Sequence, residues 1–164
     1  MKKLHVKNSA IEGKGIHTLE DIEKHEHIAF LQGTLKHKTS TSKKDALSIP
    51  LWYGVTKTKW IDPGDSIWRF FNHSCDPNTA IVGTKKVIAL KKIKKGTELT
   101  FDYSMTDGDM LWEMPCRCGT KKCRGKIQSI QKIPEKSFRS HMPFIPKYFI
   151  NLRKKHQQSV TIKK

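Results

Sequence analysis

Three of the chain's four cysteines stand together in PCRCGTKKCRGK as Cys116, Cys118 and Cys123, and the fourth, Cys75, lies far upstream. The spacing Cys-x-Cys-x4-Cys fits a tetrahedral Zn2+, which in structural sites is often held by four cysteines. Gly119 and Gly125 free the backbone to wrap a small ion. Four thiolates on one divalent cation leave net negative charge, and Arg117, Lys121, Lys122 and Arg124 are placed to offset it. A histidine or a water could complete such a site. If Cys75 completes it, the fold must carry residue 75 to residues 116–123.

Cys75 sits in RFFNHSCDPN, residues 69–78. Asp76, Pro77 and Asn78 make a turn, because proline fixes φ and Asp and Asn bond their own backbone. Asn72, His73 and Cys75 are not explained by a turn. Function is therefore expected where the two cysteine-bearing segments meet.

The 164 residues suffice for one domain with its own core. A formal charge of +17 predicts attraction to nucleic acid, a nucleic-acid-bound protein or an anionic surface, although a lysine-rich proteome would also explain it. No apolar run is long enough to span a bilayer. Met1-Lys2-Lys3 is followed by Leu4-His5-Val6-Lys7, not by the apolar stretch of a signal peptide. A cytoplasmic or other reducing compartment is expected, the nucleus included, with no membrane association. There cysteines serve as metal ligands more often than as disulfides.

The pattern predicts short strands separated by turns. His5-Val6, GKGIHTL (13–19), HIAFLQGTL (27–35), KWID (59–62) and residues 98–103 read as strands, and TAIVG with KKVIAL reads as a hairpin about Gly83-Thr84. Residues 36–48 are polar, a loop or weak helix. Beyond the cysteines a basic tail is punctuated by Pro134 and Pro146, and a short helix is expected from Pro146.

Four stretches, GKGIHTLEDIEKHEHI, WRFFNHSCDPN, KGTELTFDYS and CRCGTKKCRGK, resemble, in this order, the SET-domain protein lysine methyltransferases over residues 4–127. The resemblance implies a mainly β fold of small curved sheets, with a knot-like crossing of the NHSC and ELTFDY segments. It also implies a zinc-binding post-SET segment and a short C-terminal helix. Residues 1–104 would form the SET domain, 105–127 the post-SET segment and 128–164 the basic tail. S-adenosylmethionine and a substrate lysine would meet from opposite faces through a narrow channel.

By the same resemblance, Gly13, Lys14, Gly15 and Ile16 match the methyl-donor turn, Asn72 and His73 match the donor-holding pair, and Arg69 and Phe70 flank it. Tyr103 matches the catalytic tyrosine and borders the donor. Phe101 matches the position where Phe in place of Tyr makes room for a second or third methyl group. Cys75, Cys116, Cys118 and Cys123 match the zinc ligands. The attacking lysine must be neutral, which at pH 7 costs roughly 4–5 kcal/mol from a reference pKa near 10.4. A nearby sulfonium and an apolar channel both reduce that cost.

The chain departs from the family pattern at Leu31, where a Tyr is usual, at Trp68, where a small residue is common, and at Asp65-Ser66. Tyr53 could supply the missing hydroxyl. The substrate implied is a protein lysine presented on an added strand, in histones or other basic nucleic-acid-associated proteins. The alternatives are a zinc module that binds nucleic acid without catalysis, and an inactive SET fold that binds a partner.

Overall fold

The structure, a computed structural model, describes residues 2–39, 41–47 and 52–162. Met1, positions 40 and 48 of the polar stretch, and positions 163 and 164 lie outside the described residues. Within them the chain forms β1 (Leu4–Asn8), β2 (Lys14–Thr18), β3 (His27–Phe30), β4 (Thr34–His37), α1 (Lys43–Leu47), β5 (Tyr53–Gly54), β6 (Lys59–Asp62), β7 (Thr79–Val82), β8 (Lys86–Ala89), β9 (Glu113–Pro115), β10 (Lys126–Gln128), α2 (Glu135–Ser140) and α3 (Lys147–Ile162). Two 3-10 turns, Ile67–Phe70 and Tyr103–Thr106, lie between strands.

The strands make four small antiparallel sheets: β1-β2, β3-β8-β7, β4-β6-β5 and β9-β10. Gly83 turns at φ +65° between β7 and β8, which pair Ala80 with Ile88 as the hairpin reading expects. The expected strand 27–35 is two strands, β3 and β4, in different sheets.

Residues 98–103 differ more from expectation. They carry isolated bridges, Glu98 to His17 and Phe101 to His73, and then the 3-10 turn. The Asp102 carboxylate accepts the Ser104 N–H, which starts the turn. Through these bridges the NHSC and ELTFDY segments cross. Phe101 N–H donates to Asn72 O at 3.2 Å and Ser74 N–H to Phe101 O at 3.1 Å, with His73 and Phe101 paired in parallel.

The main core gathers Ile16, Ile22, Ile28, Tyr53, Trp68, Phe71, Leu99 and Phe101 from segments on both sides of the crossing. A second core comprises Met105, Ile130, Ile133, Phe138, Ile145 and Phe149. The basic tail is thus a packed unit. Its final helix runs a turn beyond the expected stretch, and Arg153, buried on that helix, donates to the carbonyls of Ile130 and Ile133. The two units touch at Gly54, where a Cβ would come within 1.9 Å of Thr106 O and 2.9 Å of Phe149.

Candidate active site and metal centre

A cavity of about 360 Å³ opens between the two crossing segments and the chain that follows Tyr103. That is within the usual range for a ligand pocket. Its lining includes Glu12, Arg69, Asn72, Phe101 and Tyr103, together with Trp52, Trp60, Thr106, Asp107, Asp109 and Trp112. Four sequence-matched residues, Arg69, Asn72, Phe101 and Tyr103, therefore share one space.

Asn72 is fixed by its neighbours. Its Nδ2 donates to Glu12 O at 3.1 Å, Lys14 O at 3.0 Å and Glu98 Oε1 at 2.8 Å. All three oxygens are engaged by that one nitrogen, which holds the Asn72 side chain in place at the cavity. Glu98 is anchored in turn by the Ser9 hydroxyl at 2.8 and 2.9 Å. Gly15 makes room for that carboxylate, since a Cβ there would lie 2.2 Å from Glu98 Oε1. Gly15 thus leaves room for a protein side chain. Gly13 turns at φ +52°, and Ile16 is buried in the main core. Neither lines the cavity. Lys14 and Arg69 stand over the Phe70 ring at 5.8 and 5.6 Å, and Arg69 also pairs with Asp65 at 3.1 Å.

Tyr103 donates its hydroxyl proton to Phe71 O at 2.9 Å. Burial, aided by the Glu12 charge, pushes its ionisation up, so the phenol is neutral. Its oxygen keeps lone pairs free to accept. Phe101 lies 4.9 Å from the Tyr103 ring, 4.7 Å from Phe71 and 5.4 Å from Tyr53. Tyr53 is fully buried, and its hydroxyl is satisfied by Trp68 O. The Trp68 ring and Leu31 both belong to the main core.

Behind this wall lies the cysteine cluster. Ligand atoms of His73, Cys75, Cys116 and Cys118 all lie within 4.8 Å of one another. Cys75 Sγ is 3.6 Å from Cys116 Sγ, and Cys75 N–H points at Cys118 Sγ at 3.5 Å. The long-range closure of residue 75 onto residues 116–118 is therefore made. Cys123 stands outside this tight group, with its sulfur 3.4 Å from Gly125 N and 4.0 Å from Cys116 O. Burial raises the Cys75 thiol to about 11 and pushes Cys116 up further. A divalent cation would remove that cost, so the donor set fits Zn2+.

His73 is in the cluster for a different reason. Its Nδ1 accepts the Tyr103 N–H at 3.2 Å, and burial lowers its pKa to about 4. A neutral ring with an accepting Nδ1 carries its proton on Nε2, which lies 3.3 Å from Cys75 Sγ. In this state it donates to the sulfur and orients it.

Asp102 forms a buried hub. Arg124 binds it through two nitrogens, at 2.6 and 2.8 Å, while His73 Nδ1 and His141 Nε2 each lie 3.6 Å away. The charge of Arg124, expected to offset thiolates, goes to Asp102 instead, although its backbone N–H still reaches Cys75 Sγ at 3.4 Å. Lys122 pairs with Asp76. Glu98, Asp102 and Asp107 are the site residues that motif reading missed as such. Glu98 lies within the ELTFDY match, but no spacing says that its carboxylate folds back onto Asn72.

The fold, with small sheets around two crossing segments and a cavity between them, is that of solved lysine methyltransferase domains. It aligns with the methyltransferase domain of human histone-lysine N-methyltransferase SETMAR at TM-score 0.58 and 22% identity, covering 79% of this chain and 59% of that one. KRYPTONITE in complex with mCHG DNA and SAH aligns at TM-score 0.58 and 22% identity, over 77% of this chain and 29% of that one. The SET domain family model matches residues 13–104, and the chain belongs to that family.

Among curated relatives, histone-lysine N-methyltransferase trithorax of Drosophila virilis is 35% identical over 131 residues, 71% of this chain. Human histone-lysine N-methyltransferase 2B is 31% identical over 134 residues, 73% of this chain. The chain spans only 3% and 5% of the length of these two relatives. No helix among the described residues is long and apolar enough to cross a membrane.

Proposed function

We propose that the protein transfers a methyl group from S-adenosylmethionine to the neutral ε-amine of a lysine in an extended segment of another protein. The observation that carries this reading is the shared cavity. It joins Asn72, whose amide nitrogen is fixed by three acceptors, to a neutral Tyr103 hydroxyl whose proton is committed to Phe71 O. SAH in the KRYPTONITE complex and an H3(1-15) peptide in a related complex support the donor and the peptide substrate by analogy.

In this reading Asn72, its Nδ2 held by Glu12 O, Lys14 O and Glu98 Oε1, would hold the donor's ammonium through its side-chain oxygen. Lys14 and Arg69 are available to the donor's carboxylate, and His73 and Phe70 border it. S-adenosylmethionine supplies, when bound, an electrophilic methyl on a sulfonium. Tyr103 accepts an N–H of the target amine and turns its lone pair toward that methyl. Alignment of this kind supplies much of the rate in a two-reactant displacement. Phe101, which carries no hydroxyl, leaves space for more than one methyl.

Residues 1–104 act as the catalytic domain, 105–127 as a zinc-held wall of the substrate side, and 128–164 as its brace. Cys75, Cys116, Cys118 and Cys123 would hold the zinc, with His73 steadying Cys75. The net charge of +17 favours basic substrates met within nucleic-acid complexes, where the phosphates attract the enzyme.

The test is incubation with donor carrying a labelled methyl group and a mixture of histones and other basic proteins. Label should enter lysine with the native protein and fall by at least about a hundredfold with Tyr103→Phe, while donor binding by calorimetry stays within a few-fold. Unchanged transfer by the variant would remove Tyr103 from the chemistry. A native protein that binds donor yet labels nothing would favour the inactive, partner-binding reading.

A further inference from the structure

The Tyr103 hydroxyl leaves a chemical problem unsolved. A lysine arrives as an ammonium ion, and one proton must leave before its nitrogen can attack. Tyr103 is neutral and already donates to Phe71 O, so it orients the amine without taking a proton.

Four other ionisable groups line the cavity: Glu12, Arg69, Asp107 and Asp109. Arg69 is a cation paired with Asp65, and Glu12 is exposed on the donor side. Asp109 is half-buried, and its carboxylate accepts the Leu111 N–H at 2.9 Å. Asp107 differs from all three. It caps the 3-10 turn that begins at Tyr103, one turn of chain away, and is 7% exposed. Among the described residues its carboxylate accepts one hydrogen bond, from Asp109 N–H to Oδ1 at 2.7 Å. No cation pairs with it among the described residues, even though the protein carries 32 Lys and Arg. Trp52, Trp60 and Trp112 line the same cavity, and aromatic rings attract cations.

We infer that Asp107 is the proton acceptor for the target lysine, taking one proton from the ε-ammonium inside the cavity so that the amine reaches Tyr103 neutral. This rests on the proposed methyl transfer. In the step, one N–H bond of the ammonium breaks with its electron pair left on nitrogen, and an O–H bond forms on Asp107. After transfer the nitrogen is again cationic and carries the methyl group, and Asp107 passes its proton to water at the cavity mouth.

The environment of Asp107 suits this role. Burial, with the neighbouring Asp109 charge and against the Asp109 N–H, raises its pKa to about 8. A carboxylate of that basicity is far better matched to a lysine than an ordinary one near 3.9. The sign follows. At pH 7 the free cavity holds mostly the neutral acid, and an arriving ammonium displaces that proton to solvent. One proton then remains to be shared between nitrogen and oxygen.

Asp107→Asn is the clean variant, because an amide oxygen still accepts the Asp109 N–H and the turn is kept. For the native protein, kcat/KM should rise with pH and level off above about 8. For the variant, the rise should continue toward about 10, where lysine loses its proton unaided. The gap should be about a hundredfold near pH 7.5 and should close at high pH. A second readout needs no turnover: at pH 7, lysine peptide binding measured by calorimetry in two buffers should release about one proton with the native protein and none with the variant. Two results would overturn the assignment: an inflection near 8 retained by the variant, or equal proton release by both proteins. Absence of methyl transfer by the native protein, with normal proton release, would overturn the proposed function and leave the Asp107–lysine pairing standing.

Discussion

Arg124 grips Asp102 through two parallel contacts, at 2.6 and 2.8 Å, and so ties the segment that carries the cysteines to the residue next to Tyr103. The Asp102 side chain is fully enclosed and that of Arg124 nearly so. The same carboxylate faces His73 and His141, so four separate stretches of chain converge on it. Burial would raise this carboxyl, but Arg124 more than offsets that and holds it below the usual range.

Arg124→Ala should therefore destabilise the protein by roughly 3–5 kcal/mol, the typical result of leaving one partner of a buried pair uncompensated. Arg124→Lys should recover only part of that loss, since an ammonium cannot reproduce the two-pronged contact. Urea denaturation measures both. A loss below about 1 kcal/mol for Arg124→Ala would mean that water replaces the guanidinium, as at an exposed pair.

Metal content gives a second expectation. Native mass spectrometry should find one zinc per chain, lost on strong chelation together with hydrogen-exchange protection in residues 113–128. Cys123→Ser tests the ligand that stands apart from the other sulfurs. It should weaken zinc retention, whereas His73→Asn should keep zinc and loosen the Tyr103 backbone amide that His73 Nδ1 now accepts. Full zinc retention by Cys123→Ser would assign the fourth position to another group.

Phe101→Tyr should shift products toward fewer methyl groups. Its ring sits among Tyr53, Phe71 and Tyr103 at the centre of the cavity wall, so an added hydroxyl competes for the space a methylated nitrogen needs. Mass spectrometry of a lysine peptide run to completion reports the outcome. An unchanged product distribution would place the ring too deep in the core to touch the amine.

Stability should vary with pH in a sense set by two buried acids of opposite behaviour. The Asp107 value is raised to about 8 in the fold, so the folded state holds that proton more tightly than the unfolded chain. Its contribution is complete below about pH 4 and is lost as pH rises to about 8. The Asp102 value is depressed, so its contribution is present above about pH 4 and is lost on acidification below that. His73, buried neutral with its pKa lowered to about 4, adds stability as pH rises from about 4 to 6.5 and opposes Asp107 there. The melting temperature should therefore fall between about pH 6.5 and pH 8, and Asp107→Asn should flatten that fall. An identical slope in the variant would show that the carboxyl ionises freely in the cavity.

Much of this arrangement could be read in the chain because it depends on fixed short spacings. The cysteine trio, Asn72-His73-x-Cys75 and Phe101-x-Tyr103 each bring their chemistry as a block, and the crossing of the two segments follows from the family pattern. What escaped reading depends on distant groups meeting. Glu98 reaches Asn72 and Ser9 only because three segments converge, and Gly15 gives no sign in sequence that its missing side chain serves Glu98.

Asp107-Gly108-Asp109 reads as an ordinary polar turn, and its burial comes from α3 and β10, which lie later in the chain. Those later residues look like a solvated basic tail because lysines outnumber the apolar positions. Phe138, Ile145 and Phe149 nevertheless suffice for a core once Met105 and Ile130 face them. Asp102 shows the same limit. No short spacing says that an arginine 22 residues later would meet it.

The contact between Gly54 and Thr106 O has a consequence for how such an enzyme can diversify. A Cβ at Gly54 would meet both the Thr106 carbonyl and Phe149 of α3, and one at Gly108 would meet Leu152 of the same helix. Residues 103–108 are thus clamped between two independently packed bodies and have no slack of their own. Drift in the sequence of α3 would be transmitted through this clamp to the shape of the cavity that Thr106 and Asp107 line. Selectivity could then change between relatives whose cavity residues are identical.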